Sequence, residues 1–210
     1  MNDVQERLVT PDKPAALRAR LVAAAAETVA SQGLAALKAR DLARQAGCAL
    51  GALYTVFEDM DALILQVNAQ TQALLEQTLD GALASADAVT PGARLQALAS
   101  AYLAFATEHR ARWDALFAHR MSGGRAMPEG FAAQQAGLFA RIEAPLASLC
   151  PTMPASELSL LARSVFSAVH GVVALGLDQR VAAMDAGVLR GQVQLIVAAL
   201  VAGLGAPPTA

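Results

Sequence analysis

Apolar residues recur along the chain at intervals of three and four, the period of a helix with one buried face. Leu17, Leu21, Ala24, Ala25, Thr28 and Val29 repeat in this way and predict an amphipathic helix over 15–31, opened by Pro14. Two short helices follow. The first, 38–46, has Leu42 and Ala43 on an apolar face shared with Leu37; the second, 49–57, turns Leu53 and Phe57 inward. Leu63, Val67, Leu74, Leu75 and Leu79 carry the period from Asp59 to about Ala84. A loop at 85–92 separates this long helix from one over 93–109, whose buried side holds Leu95, Leu98, Tyr102, Leu103 and Phe105. Residues 112–120 make a short helix with Trp113, Leu116 and Phe117. After a flexible Gly-containing loop at 121–130, helix resumes near 131 and ends before Pro151, with a kink expected at Pro145. The last two helices, about 156–180 and 188–204, are apolar on more than one face. Residues 1–12 read as a mobile polar arm, and the tail after 204 should fray.

β-branched residues form no alternating runs, so the fold class is all-α. The expected architecture is an N-terminal three-helix domain over 14–74 and a helical bundle over 75–205, about nine helices in all. Composition narrows this little further. A hydrophobic content of 55% and a charged content of 16% mark an apolar globular chain, and the net charge of −2 argues against a wholly basic nucleic-acid coat protein. The charge is uneven: residues 1–57 carry 7 basic and 5 acidic groups, 7 − 5 = +2, and residues 58–210 carry 9 and 13, 9 − 13 = −4. Cys48 and Cys150 form no metal or redox motif, and His109, His119 and His170 show no metal-ligand spacing. No nucleophile elbow, phosphate loop or catalytic carboxylate pair is present, so neither an enzyme nor a cofactor is expected. The N-terminus lacks a signal-peptide apolar region. No run of about 18 apolar residues is free of charged or strongly polar groups, which predicts a cytoplasmic protein without a membrane span. The excess of 14 Arg over 2 Lys, with abundant Ala, suggests a GC-rich bacterial genome.

The stretch from Gly33 to Phe57 organises the rest. Gly33 ends the first helix, and Gly47 stands where a helix C-terminus wants a left-handed residue. Two short helices joined through such a turn form a helix-turn-helix, whose second helix can enter a DNA major groove. The spacing of Gly33, Leu37, Leu42-Ala43, Ala46-Gly47, Gly51, Leu53-Tyr54, Phe57 and Leu63 resembles the DNA-binding domain of TetR-family transcriptional regulators over roughly residues 14–70. That resemblance implies DNA contacts from Lys38, Arg40, Arg44, Ala49, Leu50, Gly51, Tyr54 and Thr55, with Tyr54 on phosphate. Arg18 and Arg20 are further phosphate candidates, or ordinary solvated charge.

The chain also departs from the family pattern. The family's capping Thr or Ser before the turn is Lys38 here, and its capping Ser after the turn is Ala49. A His position is Val56, and a phosphate-contacting Lys is Met60, flanked by Glu58, Asp59 and Asp61. Those carboxylates fall where DNA would lie, unless they serve the positive end of the helix that follows.

Ala-Phe-Ala-Thr-Glu-His (104–109), Leu-Phe (116–117) and Val-His-Gly-Val-Val-Ala-Leu (169–175) resemble a TetR-type C-terminal domain, which implies a ligand-sensing, dimerising bundle. Tyr102, Phe105, His109, Trp113, Phe117, Phe139, Phe166 and His170 are the candidates to line an apolar pocket for a small, largely apolar effector. The last two helices are the expected homodimer interface. Together the implied function is a repressor released from a palindromic double-stranded operator by a small molecule. The alternative is a binding module of the same fold whose DNA binding is weak or lost.

Overall fold

The computed structural model of the chain describes residues 13–85, 90–178 and 184–204. The expectations for the N-terminal arm, the C-terminal tail and the centre of the 85–92 loop lie outside the described residues. Within them the chain is all-α, with nine α-helices. These are α1 (Lys13–Gln32), α2 (Ala39–Gln45), α3 (Leu50–Val56), α4 (Met60–Ser85), α5 (Pro91–Glu108), α6 (Arg110–Ala118), α7 (Glu129–Leu149), α8 (Ala155–Leu177) and α9 (Ala186–Leu204). Each begins and ends within about three residues of its expected bounds. α7 runs through Pro145 as one element.

Two apolar cores form, and the same two helices serve both. The head core gathers Leu21, Ala25 and Val29 of α1, Leu42 of α2, Leu53 of α3, Phe57, and Leu63 and Val67 of α4. The body core begins two turns further along α4, at Leu75 and Leu79, and continues through α5, α8 and α9. α4 therefore leaves one core and enters the other without interruption, and the expected domain division at 74/75 falls inside it. α6 is shared differently, sideways: Ala115 is buried in the head core and Trp113 in the body core.

The turn between α2 and α3 is built by Gly47, whose φ of 66° is the left-handed conformation that glycine adopts without a Cβ clash. It allows the Cys48 N–H to reach Ala43 O at 2.9 Å and the Gly47 N–H to reach Arg44 O at 3.2 Å, the paired bonds of a Schellman cap. The Arg20 guanidinium adds a bond from Nε to Ala46 O at 3.0 Å, and Arg18 stacks over the Phe57 ring at 4.2 Å. Both arginines, phosphate candidates by sequence, are thus engaged in bracing the head.

In the body, α8 and α9 meet at Gly176. A Cβ there would lie 2.4 Å from Cδ1 of Leu189, a residue itself only 1% exposed and unable to swing aside. Replacing Gly176 with Val should force these helices apart at a cost of about 1–3 kcal/mol. Thermal unfolding of Gly176→Val should show a Tm lower by roughly 3–10 °C, and an unchanged Tm would contradict the close approach.

Candidate functional site

The helix-turn-helix presents one open face. Lys38, Arg40, Arg44, Ala49, Leu50, Gly51, Tyr54 and Thr55 are all exposed, while Leu53 and Phe57 between and beyond them are buried. On α3 the exposed positions 50, 51, 54 and 55 follow the i, i+1, i+4, i+5 spacing of a single helical face. Leu50 and Tyr54 stand out from it, 39% and 49% exposed. A Cβ at Gly51 would meet nothing within 4 Å, so the backbone there is open to close approach from outside.

The electrostatics of this face are spare. α3, Leu-Gly-Ala-Leu-Tyr-Thr-Val, has no charged side chain. Neither Lys38 nor Ala49 makes a side-chain capping bond at the N-cap position it occupies, so the first N–H groups of both helices remain open to an outside acceptor. The Thr55 hydroxyl is turned inward to Ala52 O at 2.7 Å, and Arg44 pairs with Asp41 at 3.0 Å across an exposed helical turn. Among the described residues, Lys38 and Arg40 are the candidate cations without such a pairing. Of the positions that depart from the family pattern, Met60 packs against the head core and Val56 is half-buried beside it.

The three carboxylates beside Met60 do not all face where DNA would lie. Glu58 is exposed. Asp59 caps α4, accepting the Ala62 N–H at 2.8 Å, and pairs with Arg125. Asp61 is buried at 5% exposure. Its Oδ1 lies 3.0 Å from Nε2 of His119, and its Oδ2 accepts the Ser122 N–H at 2.8 Å and Arg125 Nη2 at 2.9 Å. The loop after α6, expected to be flexible, is wrapped at its start around a carboxylate of the head. Gly123 and Gly124, at φ 66° and 70°, supply the left-handed turn that lets Ser122 and Arg125 converge on it. The His119 and Ser122 bonds, reinforced by Arg125, hold the Asp61 carboxyl well below the usual carboxylate range.

The body holds a cavity of about 150 Å³ that is open on one side. Its wall is drawn from six helices: Gln72, Leu75 and Leu79 of α4; Leu95, Leu98, Ala99 and Tyr102 of α5; Leu116 and Phe117 of α6; Gln135, Leu138, Phe139 and Ile142 of α7; Val165, Phe166 and Val169 of α8; and Val197 of α9. Four of the eight sequence candidates, Tyr102, Phe117, Phe139 and Phe166, lie on this wall. Trp113 and His170 stand behind it, where Trp113 Nε1 donates to the Tyr102 hydroxyl at 2.9 Å and that hydroxyl lies 2.7 Å from His170 Nδ1. Burial pushes the His170 pKa down and the Tyr102 pKa up. With His170 neutral, the Tyr102 O–H donates a hydrogen bond to Nδ1 while its oxygen accepts from Trp113. Phe105 and His109 lie away from the wall: Phe105 is 1% exposed and its ring meets that of His109 at a tilt, 4.9 Å between centroids, at the junction of α5 and α6. Both continue the face of α5 that holds Leu95, Leu98 and Tyr102, but they lie one and two turns further along, past the end of the cavity wall.

Sequence reasoning passed over Gln72, a polar residue that occupies an inward position of α4. Its apolar neighbours at Leu75 and Leu79 gave the period, and an unexpected glutamine in register with them was the available signal. Among the described residues, no group of three or more His, Cys, Asp or Glu is placed to hold a metal ion.

Known proteins share both the sequence pattern and the fold. Residues 21–67 match the family described as "Bacterial regulatory proteins, tetR family", and residues 95–200 match "Tetracyclin repressor-like, C-terminal domain". The chain belongs to the TetR family of transcriptional regulators. No curated protein matches it. Among solved structures, a protein of unknown function from Rhodococcus sp. RHA1 superimposes with a TM-score of 0.64 at 24% identity, covering 96% of this chain and 97% of that one. A transcriptional regulator from the same organism gives 0.65 at 19% identity, covering 91% and 99%. The TetR-family regulator PfmR from Thermus thermophilus gives 0.58 at 18% identity, covering 85% and 97%.

The Asp61 contacts make a pH prediction. Because the folded pKa is lowered, the stability Asp61 contributes is fully present above its ordinary value of 3.8 and is lost as pH falls from there toward the folded pKa. At neutral pH, Asp61→Asn should cost about 1.5–3 kcal/mol, the range for hydrogen bonds to a charged group. Urea midpoints of wild type and variant should converge as the pH is taken below about 4. A constant gap down to about pH 2 would show that the carboxylate charge contributes nothing.

Proposed function

We propose that this regulator is a cytoplasmic, ligand-responsive repressor. Residues 14–74 read a palindromic operator, and residues 75–205 dimerise and sense a small molecule. The observation that carries the reading is the placement of α6. Leu116 and Phe117 are cavity wall, Ala115 is head core, and His119 at its end grips Asp61 of α4. Anything that moves the cavity side of α6 therefore bears directly on the head. A ligand favouring one head position over another by about 1–3 kcal/mol would change DNA affinity roughly five- to a hundredfold, and DNA would oppose the ligand by the same factor.

The dimer is supported by the outer faces of α8 and α9. Both helices are long and apolar enough to cross a bilayer by length and composition. Each nevertheless packs one side into the body core, through Val165, Val169 and Val173 of α8 and Leu189, Val193 and Val197 of α9. Their other sides carry Leu160, Leu175, Val188 and Leu195, which are 53–62% exposed. The stripe Leu160, Ser164, Ser167, Gly171, Leu175 combines large apolar with small residues, a surface that admits a second helix closely. A second copy of the chain, related by two-fold symmetry, covers it in this reading. Leu195→Asp should then yield a monomer in sedimentation at micromolar protein, and an unchanged dimer would move the interface elsewhere.

The uncharged α3 gives the second reading its footing: the same fold with weak DNA binding. Fluorescence anisotropy with a DNA fragment from upstream of the chain's own gene, run at several salt concentrations beside a scrambled fragment, separates the two. The repressor reading predicts preference for the native fragment and an affinity that falls with salt. Tyr54→Ala should weaken binding to both fragments about tenfold, because a phosphate contact carries no sequence information. Equal, weak binding to both fragments by the wild type, unaffected by Tyr54→Ala, would favour the second reading.

A further inference from the structure

The cavity has one polar feature that the fold does not use. Gln72 is 3% exposed and lies on the cavity wall, yet its Oε1 is buried with no hydrogen-bond partner. Leaving a buried amide oxygen unpaired is costly, and most such groups in proteins are satisfied. The other buried polar group on the wall, the Tyr102 hydroxyl, is already engaged by Trp113 and His170. Gln135, also on the wall, is exposed at the cavity mouth.

The charge around the cavity is equally specific. No wall residue is a carboxylate, lysine, arginine or histidine. Two arginines are next in sequence to wall residues: Arg94, beside Leu95, is exposed, and Arg141, beside Ile142, is held by both Asp80 oxygens at 2.7 Å and by Glu76 at 3.6 Å. Arg163 reaches the Phe139 ring at 6.0 Å but is itself exposed. An ionised ligand would give up its hydration without gaining a buried counter-charge. An apolar cavity of about 150 Å³ is the size that takes up a single benzene ring.

We propose that the cavity takes a neutral, ring-sized apolar molecule bearing one hydroxyl, and that Gln72 is the residue that reads the hydroxyl. A hydroxyl donates and accepts, so it satisfies the Gln72 amide through its oxygen or its nitrogen. Gln72 stands on α4 one turn beyond Asn68, which is fully buried between the two cores with both amide atoms unpartnered. The contact thus falls on the helix that continues into the head. The proposal rests on reading the body as a ligand sensor, but it concerns binding and is tested apart from DNA.

The test is calorimetric titration of the full chain at about pH 7.5, where a benzoate is ionised and a phenol is neutral, with three probes of one shape: 4-methylphenol, 4-methylbenzoate and toluene. 4-Methylphenol should bind at least about tenfold more tightly than either of the others, the worth of one good hydrogen bond to a buried group. Gln72→Leu fills the same space without an amide, and it should bind toluene at least as well as wild type does, which also shows that the variant is folded. In that variant the advantage of 4-methylphenol over toluene should vanish. Binding of 4-methylbenzoate as tight as that of the phenol would overturn the proposal. So would an undiminished phenol preference in Gln72→Leu, or no binding by any of the three. If the phenol binds as expected while operator affinity stays unchanged in its presence, the ligand assignment stands and the sensing reading fails.

Discussion

One buried carboxylate decides how the two halves of this chain sit. Asp61 belongs to the first turn of α4, in the head, yet the groups that bond it come from the body: the His119 imidazole, the Ser122 N–H and the Arg125 guanidinium. A carboxylate removed from water is tolerable only when its lone pairs are met, and breaking such a set leaves an uncompensated charge. The loop after α6 therefore cannot drift from the start of α4 without a penalty. The α2–α3 face inherits its position from this constraint through α1, which packs on α4 and carries α2 and α3 against its other contacts.

Two groups of buried polar side chains near the cavity behave differently. The Tyr102 hydroxyl has a partner on either side: Trp113 donates, His170 accepts, and the aromatic rings of Phe166 and Phe117 pack against the set. Along α4 the amides of Asn68 and Gln72 are left with unpaired atoms. The closed set makes a rigid wall. The open one lies on the helix that joins the cavity to the head, at the seam between the two cores.

How much of this was legible in the sequence follows from the kind of interaction involved. Apolar periodicity fixes which face of each helix turns inward, so the helices and the Gly47 turn could be read directly. The exposed set on α2 and α3 was likewise legible, because Leu53 and Phe57 define the buried side and leave the rest outside. The cavity wall was only half legible. Phe105 and Tyr102 are both apolar-face residues of α5, and periodicity does not say which part of a broad buried face borders a hollow. The role of Asp61 was not legible at all. An acidic residue at a helix N-terminus suits the macrodipole wherever it occurs, and its true partners lie 58 to 64 residues away on a loop without periodicity.

The bond between head and body at Asp61 is tested most directly by amide hydrogen exchange of Ser122. Ser122 lies in a short turn with no α-helix of its own to protect it, so its N–H should exchange slowly only because Asp61 holds it. In the wild type its protection should be comparable to that of α5 and α8. In His119→Ala, Ser122 should exchange fast, with faster exchange through α2 and α3, while α8 stays protected. Exchange at Ser122 as fast as in an open loop of the wild-type protein would contradict a head held in place through Asp61.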